Sequence, residues 1–252
     1  MATDAPDFSP IAERYAASRP TYPAELYDWL ATECARHALA WDCGTGSGQA
    51  ARDLAARFER VVGTDPSSEQ LRFAPRHPRI EWRAAAAEAS GLEAASVDLI
   101  TAAAAAHWFD LAAFGAEVLR VAARPSALLA VWTYHAGIAE PPVDELLHHL
   151  YWEILQPYFA SGARMVDERY ATLALPGSPM TAPRFTMRAD WRKEQFVGYL
   201  ESWSGFAAYR RRHGDELLDA ARAKIDRLWA GHSTLELRWP LFLRAQRIGG
   251  AL

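Results

Sequence analysis

A glycine-rich turn caught between two short apolar runs decides most of what this chain can fold into. The run Ala38 to Trp41 is the length of a buried strand and stops at Asp42. Gly44-Thr45-Gly46-Ser47-Gly48 follows, Gln49 to Phe58 carries helical spacing, and Arg60 to Thr64 reads as a second buried strand ending at Asp65. Strand, glycine turn and helix in that order let a ligand approach backbone N–H groups at a helix N-terminus. Asp65 stands about twenty residues beyond the loop, where a carboxylate accepts both ribose hydroxyls of a nucleotide cofactor. Taken alone, it is equally a solvated carboxylate at a strand end. The dinucleotide fingerprint needs a glycine at position 49; Gln49 occupies it, so the spacing points away from NAD.

The alternation continues. Ala24 to Arg36 precedes the unit as a helix; Ile80 to Arg83, Val97 to Ala102 and Ala127 to Thr133 are strand candidates, with a helical Leu111 to Ala122 between the last two. Alternating strands and helices imply a parallel, doubly wound α/β sheet. From Pro141 the pattern lapses into a helical stretch, Val143 to Pro157, and a turn-rich segment, Leu175-Pro176-Gly177-Ser178-Pro179. Phe185 to Trp191 then reads as a strand, Lys193 to Trp203 and Asp215 to Trp229 as helices, and Leu235 to Arg244 as a closing strand. The expectation is one Rossmann-like domain over residues 1–252: a core at 1–135, a helical cap inserted at 136–183, and a remainder at 184–252 closing the sheet with an antiparallel terminal strand.

Composition narrows the functions. Half of the 252 residues are hydrophobic and the net charge is -4, with Lys and Arg dispersed, which disfavours nucleic acid as a partner. Cys34 and Cys43 are too few for a disulfide framework and are not spaced for a metal site, so no metal is expected. No leader pattern opens the chain and no apolar run spans a bilayer, so the expectation is a cytoplasmic protein without a membrane partner, monomer or homodimer. Of ten Trp residues, seven lie after residue 107, a surplus the second half must accommodate.

Trp41-Asp42-Cys43-Gly44-Thr45-Gly46-Ser47-Gly48 resembles the first motif of the class I S-adenosylmethionine (SAM) dependent methyltransferases. Val62-Gly63-Thr64-Asp65-Pro66-Ser67 is similar to the family's ribose-binding turn, and Ala87-Glu88, Leu92 and Ser96 to Ile100 to its adenine-side loop and fourth strand. His107-Trp108-Phe109-Asp110 resembles the segment closing that strand, and Arg120-Val121, Arg124-Pro125 and Leu128 to Tyr134 the entry to the fifth. Arg14-Tyr15, Arg19-Pro20-Thr21-Tyr22-Pro23, Trp203-Ser204 and Arg238-Trp239-Pro240-Leu241 look like the small-molecule branch that includes trans-aconitate methyltransferases. Two departures stand out: Ser126 follows Pro125 where the family usually has Gly, and Ser90-Gly91 replaces the Leu-Pro of the adenine loop.

The resemblance implies SAM as cofactor and a small-molecule methyl acceptor, and each half of the site asks for different chemistry. Asp42 takes the cofactor's ammonium, the amides of Gly44, Gly46 and Gly48 line its methionine half, and Asp65 its ribose. Arg19 matches its carboxylate with a guanidinium fork, and Ala87 and Glu88 flank its adenine. On the acceptor side, His107 at the carboxyl edge of the sheet is the candidate base. Trp108, Trp132, Tyr134, Trp203 and Tyr209 are candidates for the acceptor's apolar body. Arg210, in the cluster Arg210-Arg211-Arg212, would hold an acceptor carboxylate, which is ionised at neutral pH and needs no base. Methyl transfer to an oxygen such as a carboxylate is the expectation. An NAD(P)-dependent oxidoreductase and a SAM-binding protein without turnover are the alternatives.

Overall fold

The computed structural model describes residues 19–249, so Arg14 and Tyr15 lie outside the described residues. Helix α1 (Ala24–Glu33) leads into β1 (Leu39–Cys43), then α2 (Gln49–Leu54), β2 (Arg60–Asp65), α3 (Ser68–Arg72), β3 (Ile80–Ala84), β4 (Leu99–Ala103), α4 (Leu111–Val121) and β5 (Ala127–Thr133). The main sheet has seven strands in the order β3-β2-β1-β4-β5-β9-β6. The first five are parallel, and β9 (Phe242–Ile248) runs antiparallel to β5. The chain leaves β1 toward β2 and β3, then returns to place β4 on the other flank of β1. Such a reversal of strand order opens a crevice at the carboxyl ends of the strands, where α/β folds bind ligands.

Local sequence explains the elements. β1 and β5 are buried along their whole length, as strands covered on both faces must be. Helix α4 starts where the Asp110 side chain accepts the amides of Ala112 and Ala113, both at 3.1 Å, and it buries Phe114, Val118 and Val121 on one stripe. Under one face of the sheet these residues pack with Trp41, Ile100, Leu129 and Tyr170. The other face carries a larger core that runs from Leu26 and Tyr27 through Trp132 to Trp191, Trp203, Trp229 and Trp239.

The second half departs from the sequence expectation in three places. The closing strand breaks at Pro240-Leu241: β8 (Leu235–Pro240) pairs with β7 (Thr186–Trp191) in a separate two-stranded ribbon, and the chain enters the main sheet only as β9. Proline has no N–H to give to a ladder, so the break falls there. The stretch 136–183 is not purely helical. After α5 (Pro141–His148), a π-helical continuation (His149–Leu155) and α6 (Ala163–Asp167), it contributes β6 (Ser178–Met180), the edge strand beside β9. Between α7 (Lys193–Glu201) and α9 (Glu216–Leu228), a further helix, α8 (Ser204–His213), follows Trp203 directly. No helix among the described residues is long and apolar enough to cross a membrane.

Three of the late tryptophans, Trp191, Trp229 and Trp239, pack between the ribbon and the helices above the sheet. Trp239 is fully buried, 4.7 Å from the Trp191 ring, and its Nε1–H donates to the Tyr199 hydroxyl at 3.0 Å. Trp239→Ala is expected to destabilise the fold by about 3–5 kcal/mol in urea titration, whereas Leu119→Ala, at a 41% exposed position on α4, stays within about 0.5 kcal/mol.

Candidate active site

Asp42 is the last buried acid of β1. Its carboxylate accepts the Thr45 hydroxyl at 2.6 Å and the Thr101 hydroxyl at 2.7 Å, which ties the end of β1 to the glycine loop and to β4. Burial pushes its carboxyl up to about 6, against those two bonds and with the Asp65 charge adding to the rise. A desolvated carboxylate of this kind is stabilised by a cation brought next to it. Asp65, at the end of β2, accepts the Gly46 amide and the Ser67 amide at 2.9 Å each. Burial raises its carboxyl as well. Each of its oxygens keeps a second lone pair for a ligand hydroxyl.

Gly44, Gly46 and Gly48 all hold positive φ, the left-handed backbone that side chains resist. At Gly46 a Cβ would meet nothing among the described residues nearer than the Gln70 side chain at 3.9 Å, so the backbone there is bare. At Gly48 the requirement is different, since a Cβ would fall 2.3 Å from the Trp82 ring, which also packs 2.5 Å from the Cβ position of Gly63. Trp82 therefore seals the loop from below while Gly46 leaves it open above.

The Gln49 side-chain amide donates to the Pro20 carbonyl at 2.7 Å, which fastens the segment beginning at Arg19 onto the helix that follows the loop. The Arg19 guanidinium donates to the Tyr134 hydroxyl and the Ser202 carbonyl at 3.2 Å each and lies over the Tyr199 ring. Ala87 is buried, and Glu88 accepts the Asp110 amide at 2.8 Å, so the adenine-side loop is pinned to the start of α4. The unusual Ser90 has a structural use. Glu117 of α4 accepts both its amide (2.9 Å) and its hydroxyl (2.5 Å) while Arg120 holds the same carboxylate, down to about 2, chiefly through its hydrogen bonds.

A cavity of about 150 Å³ opens at the carboxyl ends of β4 and β5. Ala104 forms part of its wall, and the next residue, Ala105, is packed so closely on Gly44 that a Cβ there would come within 2.6 Å of it. Of the residues expected from sequence, Arg19, His107, Trp108, Tyr134 and Trp203 line this cavity together. Trp132 does not. It is fully buried one step deeper along β5, edge-on to Tyr22, and belongs to the core. Tyr209 packs on Tyr158 and His213 away from the cavity, and Arg210 turns outward to pair with Asp215 on the surface. Both sit too far along α8 from Trp203, the residue that opens the helix, to share its wall.

His107 is enclosed. The Tyr170 hydroxyl bonds its Nδ1 at 2.7 Å, and burial pushes the imidazole down to about 3, so it stays neutral. His135, Tyr151, Phe159 and Tyr199 also line the cavity; His135 and Tyr199 are not expected from sequence, and Tyr151 and Phe159 belong to the cap aromatics that could equally roof a pocket or fill a core. His135 carried a usable signal, since it follows Tyr134 at the end of β5. The cap aromatics carried none, because helical spacing alone does not distinguish a pocket wall from a core. No group of three or more His, Cys, Asp or Glu among the described residues is placed to hold a metal ion.

The residues fit SAM: a buried carboxylate that a cation relieves, an open glycine cradle, and an acid at the end of β2 with lone pairs to spare. Asp42, Gly46, Asp65 and Arg19 would hold its ammonium, methionine chain, ribose and carboxylate. When bound, it supplies an activated methyl group. Asp42 carries a stability cost that this function explains. Its folded-state carboxyl, at about 6, lies above the unfolded value of about 4, so the folded state keeps a proton that the unfolded chain releases. Folding stability therefore falls as pH rises through that window, and at neutral pH the ionised group destabilises the apo fold. Asp42→Asn is expected to abolish SAM binding yet raise apo stability by about 1–3 kcal/mol at pH 7.5 relative to pH 4, read as denaturation midpoints against wild type. By calorimetry, Gly46→Val is expected to abolish SAM binding, and Asp65→Ala to weaken it by about 1–3 kcal/mol.

The methyltransferase domain family matches residues 41–130, from β1 into β5. A Dictyostelium discoideum protein named as a methyltransferase is 34% identical over 215 residues, 84% of this chain and 81% of that one. A Saccharomyces cerevisiae protein named as an S-adenosylmethionine-dependent methyltransferase is 26% identical over 78% of this chain and 80% of its own length. The solved structure of a protein described as a type II methyltransferase from Anaeromyxobacter dehalogenans superposes with a TM-score of 0.83 at 40% identity, covering 91% of this chain and 97% of that one. With relatives that cover 84% and 91% of the chain at 34% and 40% identity, this protein belongs to the SAM-dependent methyltransferases.

Proposed function

We propose that the enzyme methylates an oxygen atom of a small molecule, and that the acceptor is an uncharged hydroxyl on a flat ring. The observation that carries this reading is the composition of the cavity beside the glycine loop. Trp108, Tyr134, Tyr151, Phe159, Tyr199 and Trp203 supply aromatic faces, and the two histidines in its wall are held below their ordinary range by burial. Aromatic walls favour a planar apolar body, and buried neutral rings offer hydrogen bonds without a charge.

A carboxylate acceptor, as in the branch that resembles trans-aconitate methyltransferases, is the second reading. It leaned on Arg210, which lies outside the cavity and is paired with Asp215. Among the residues lining the cavity, Arg19 is the one arginine, and a carboxylate acceptor would compete with the cofactor for it. Release of S-adenosylhomocysteine from a panel of simple phenols and small carboxylic acids separates the two readings. Turnover is expected with phenols, and the product is expected to resist mild alkaline hydrolysis; an alkali-labile ester would favour the carboxylate. Arg210→Ala is expected to change KM by less than about twofold, the size of an ordinary surface substitution.

A further inference from the structure

His135, in the cavity wall, pairs with Asp167, and the cofactor site uses neither. His135 leaves the end of β5, and its Nε2 is 3.0 Å from Asp167 Oδ1, at the end of α6. Asp167 also accepts the Tyr151 hydroxyl at 2.8 Å on the same oxygen, so the carboxylate is fixed from two sides. The imidazole is clamped further. Trp152 stacks on it at 5.1 Å with planes 11° apart, and the Tyr151 ring lies 4.4 Å away. A histidine that donates Nε2–H to a carboxylate presents Nδ1 as an acceptor, and the carboxylate stabilises the imidazolium that forms when Nδ1 takes a proton.

From this geometry we infer that His135 is the general base of the reaction, with Asp167 as its positioning residue, and that the acceptor it serves is a phenol. The inference rests on the oxygen-methylation reading above and adds the base, the proton's path and the acceptor class. The acceptor's O–H bond breaks as its proton passes to His135 Nδ1, and the oxygen's electron pair forms the new O–C bond. The C–S bond to the transferred methyl breaks with its pair left on sulfur, so the sulfonium charge ends on an imidazolium held by Asp167.

His107, the base expected from sequence, lacks this arrangement. Among the described residues its ring hydrogen bond is to the Tyr170 hydroxyl and no carboxylate pairs with it, so a proton taken up there would be a buried charge with no acid among them beside it. The groups around His135 act in opposite senses. Burial lowers it first, the Asp167 bond and charge raise it, Arg169 lowers it again, and Tyr151 and Trp152 bring no charge.

The test uses 4-nitrophenol, whose phenolate is coloured, with the full-length enzyme saturated with S-adenosylhomocysteine so that no turnover occurs. In wild type the bound phenol should ionise at lower pH than in free solution. His135→Gln should remove that shift and lower kcat with the same phenol about 10²-fold, while S-adenosylhomocysteine affinity stays within about twofold by calorimetry. Asp167→Asn should move the acidic limb of the pH-rate profile to lower pH, because the imidazolium loses its counter-charge. Wild type failing to bind S-adenosylhomocysteine would sink the methyltransferase site itself. Cofactor binding with no uptake of 4-nitrophenol would overturn the phenol class. An unchanged ionisation midpoint and rate in His135→Gln, or their loss in His107→Gln instead, would overturn the base assignment.

Discussion

The arrangement depends on one buried charge. Asp42 sits where strand order reverses, and two threonine hydroxyls hold it between β1, the glycine loop and β4. A carboxylate with so little water around it is poorly satisfied by two neutral donors. The loop beside it leaves the backbone bare at Gly46, and a second acid, Asp65, spends one lone pair on the Gly46 amide and one on the Ser67 amide of the turn after β2. The sheet supplies the rigidity that keeps these groups in place without a ligand, since every residue of β1 and β5 is buried.

The aromatic residues of the second half divide into two roles that share one surface. Trp191, Trp229 and Trp239 close a core between the β7–β8 ribbon and the helices. Tyr199 belongs to both, because its hydroxyl accepts Trp239 Nε1–H and donates to the Ala136 carbonyl while its ring faces the cavity. The pocket wall is thus the outer layer of a packed core, which keeps it stiff at low entropic cost.

What the sequence revealed follows from the range of the forces involved. The βαβ unit, Asp42, the glycines and Asp65 were legible because strand, turn and helix periodicities are local and the residues lie within one short stretch. Tyr134 was legible as a strand-end aromatic, whereas Trp203 read as the last residue of the helix beginning at Lys193 and instead caps the next one. Trp132 was misread because a strand end gives no sign of which residue is the last to reach the crevice, and Arg210 because a run of three arginines looks alike whether it faces a ligand or water. The division of the closing strand turned on Pro240, a local signal that was present and passed over. The His135–Asp167 pair, by contrast, joins residues 32 positions apart across the cap, a contact that no periodicity encodes.

Trp82 gives the cofactor loop a particular pattern of permitted variation. Gly63 holds an ordinary backbone conformation, so its lack of a side chain answers to the indole ring packed against it and, at 3.1 Å, to the Thr45 methyl, whereas Gly48 answers to the ring and to its own left-handed φ of 82°. A lineage that exchanged Trp82 for a small residue would let position 63 accept alanine once the Thr45 methyl gave way by a few tenths of an ångström, while leaving position 48 bound to glycine. The two glycines look equivalent in the sequence, yet one is exchangeable by a single compensating change elsewhere and the other is not, so the identity of residue 82 and of residue 63 should drift together across relatives while residue 48 stays fixed.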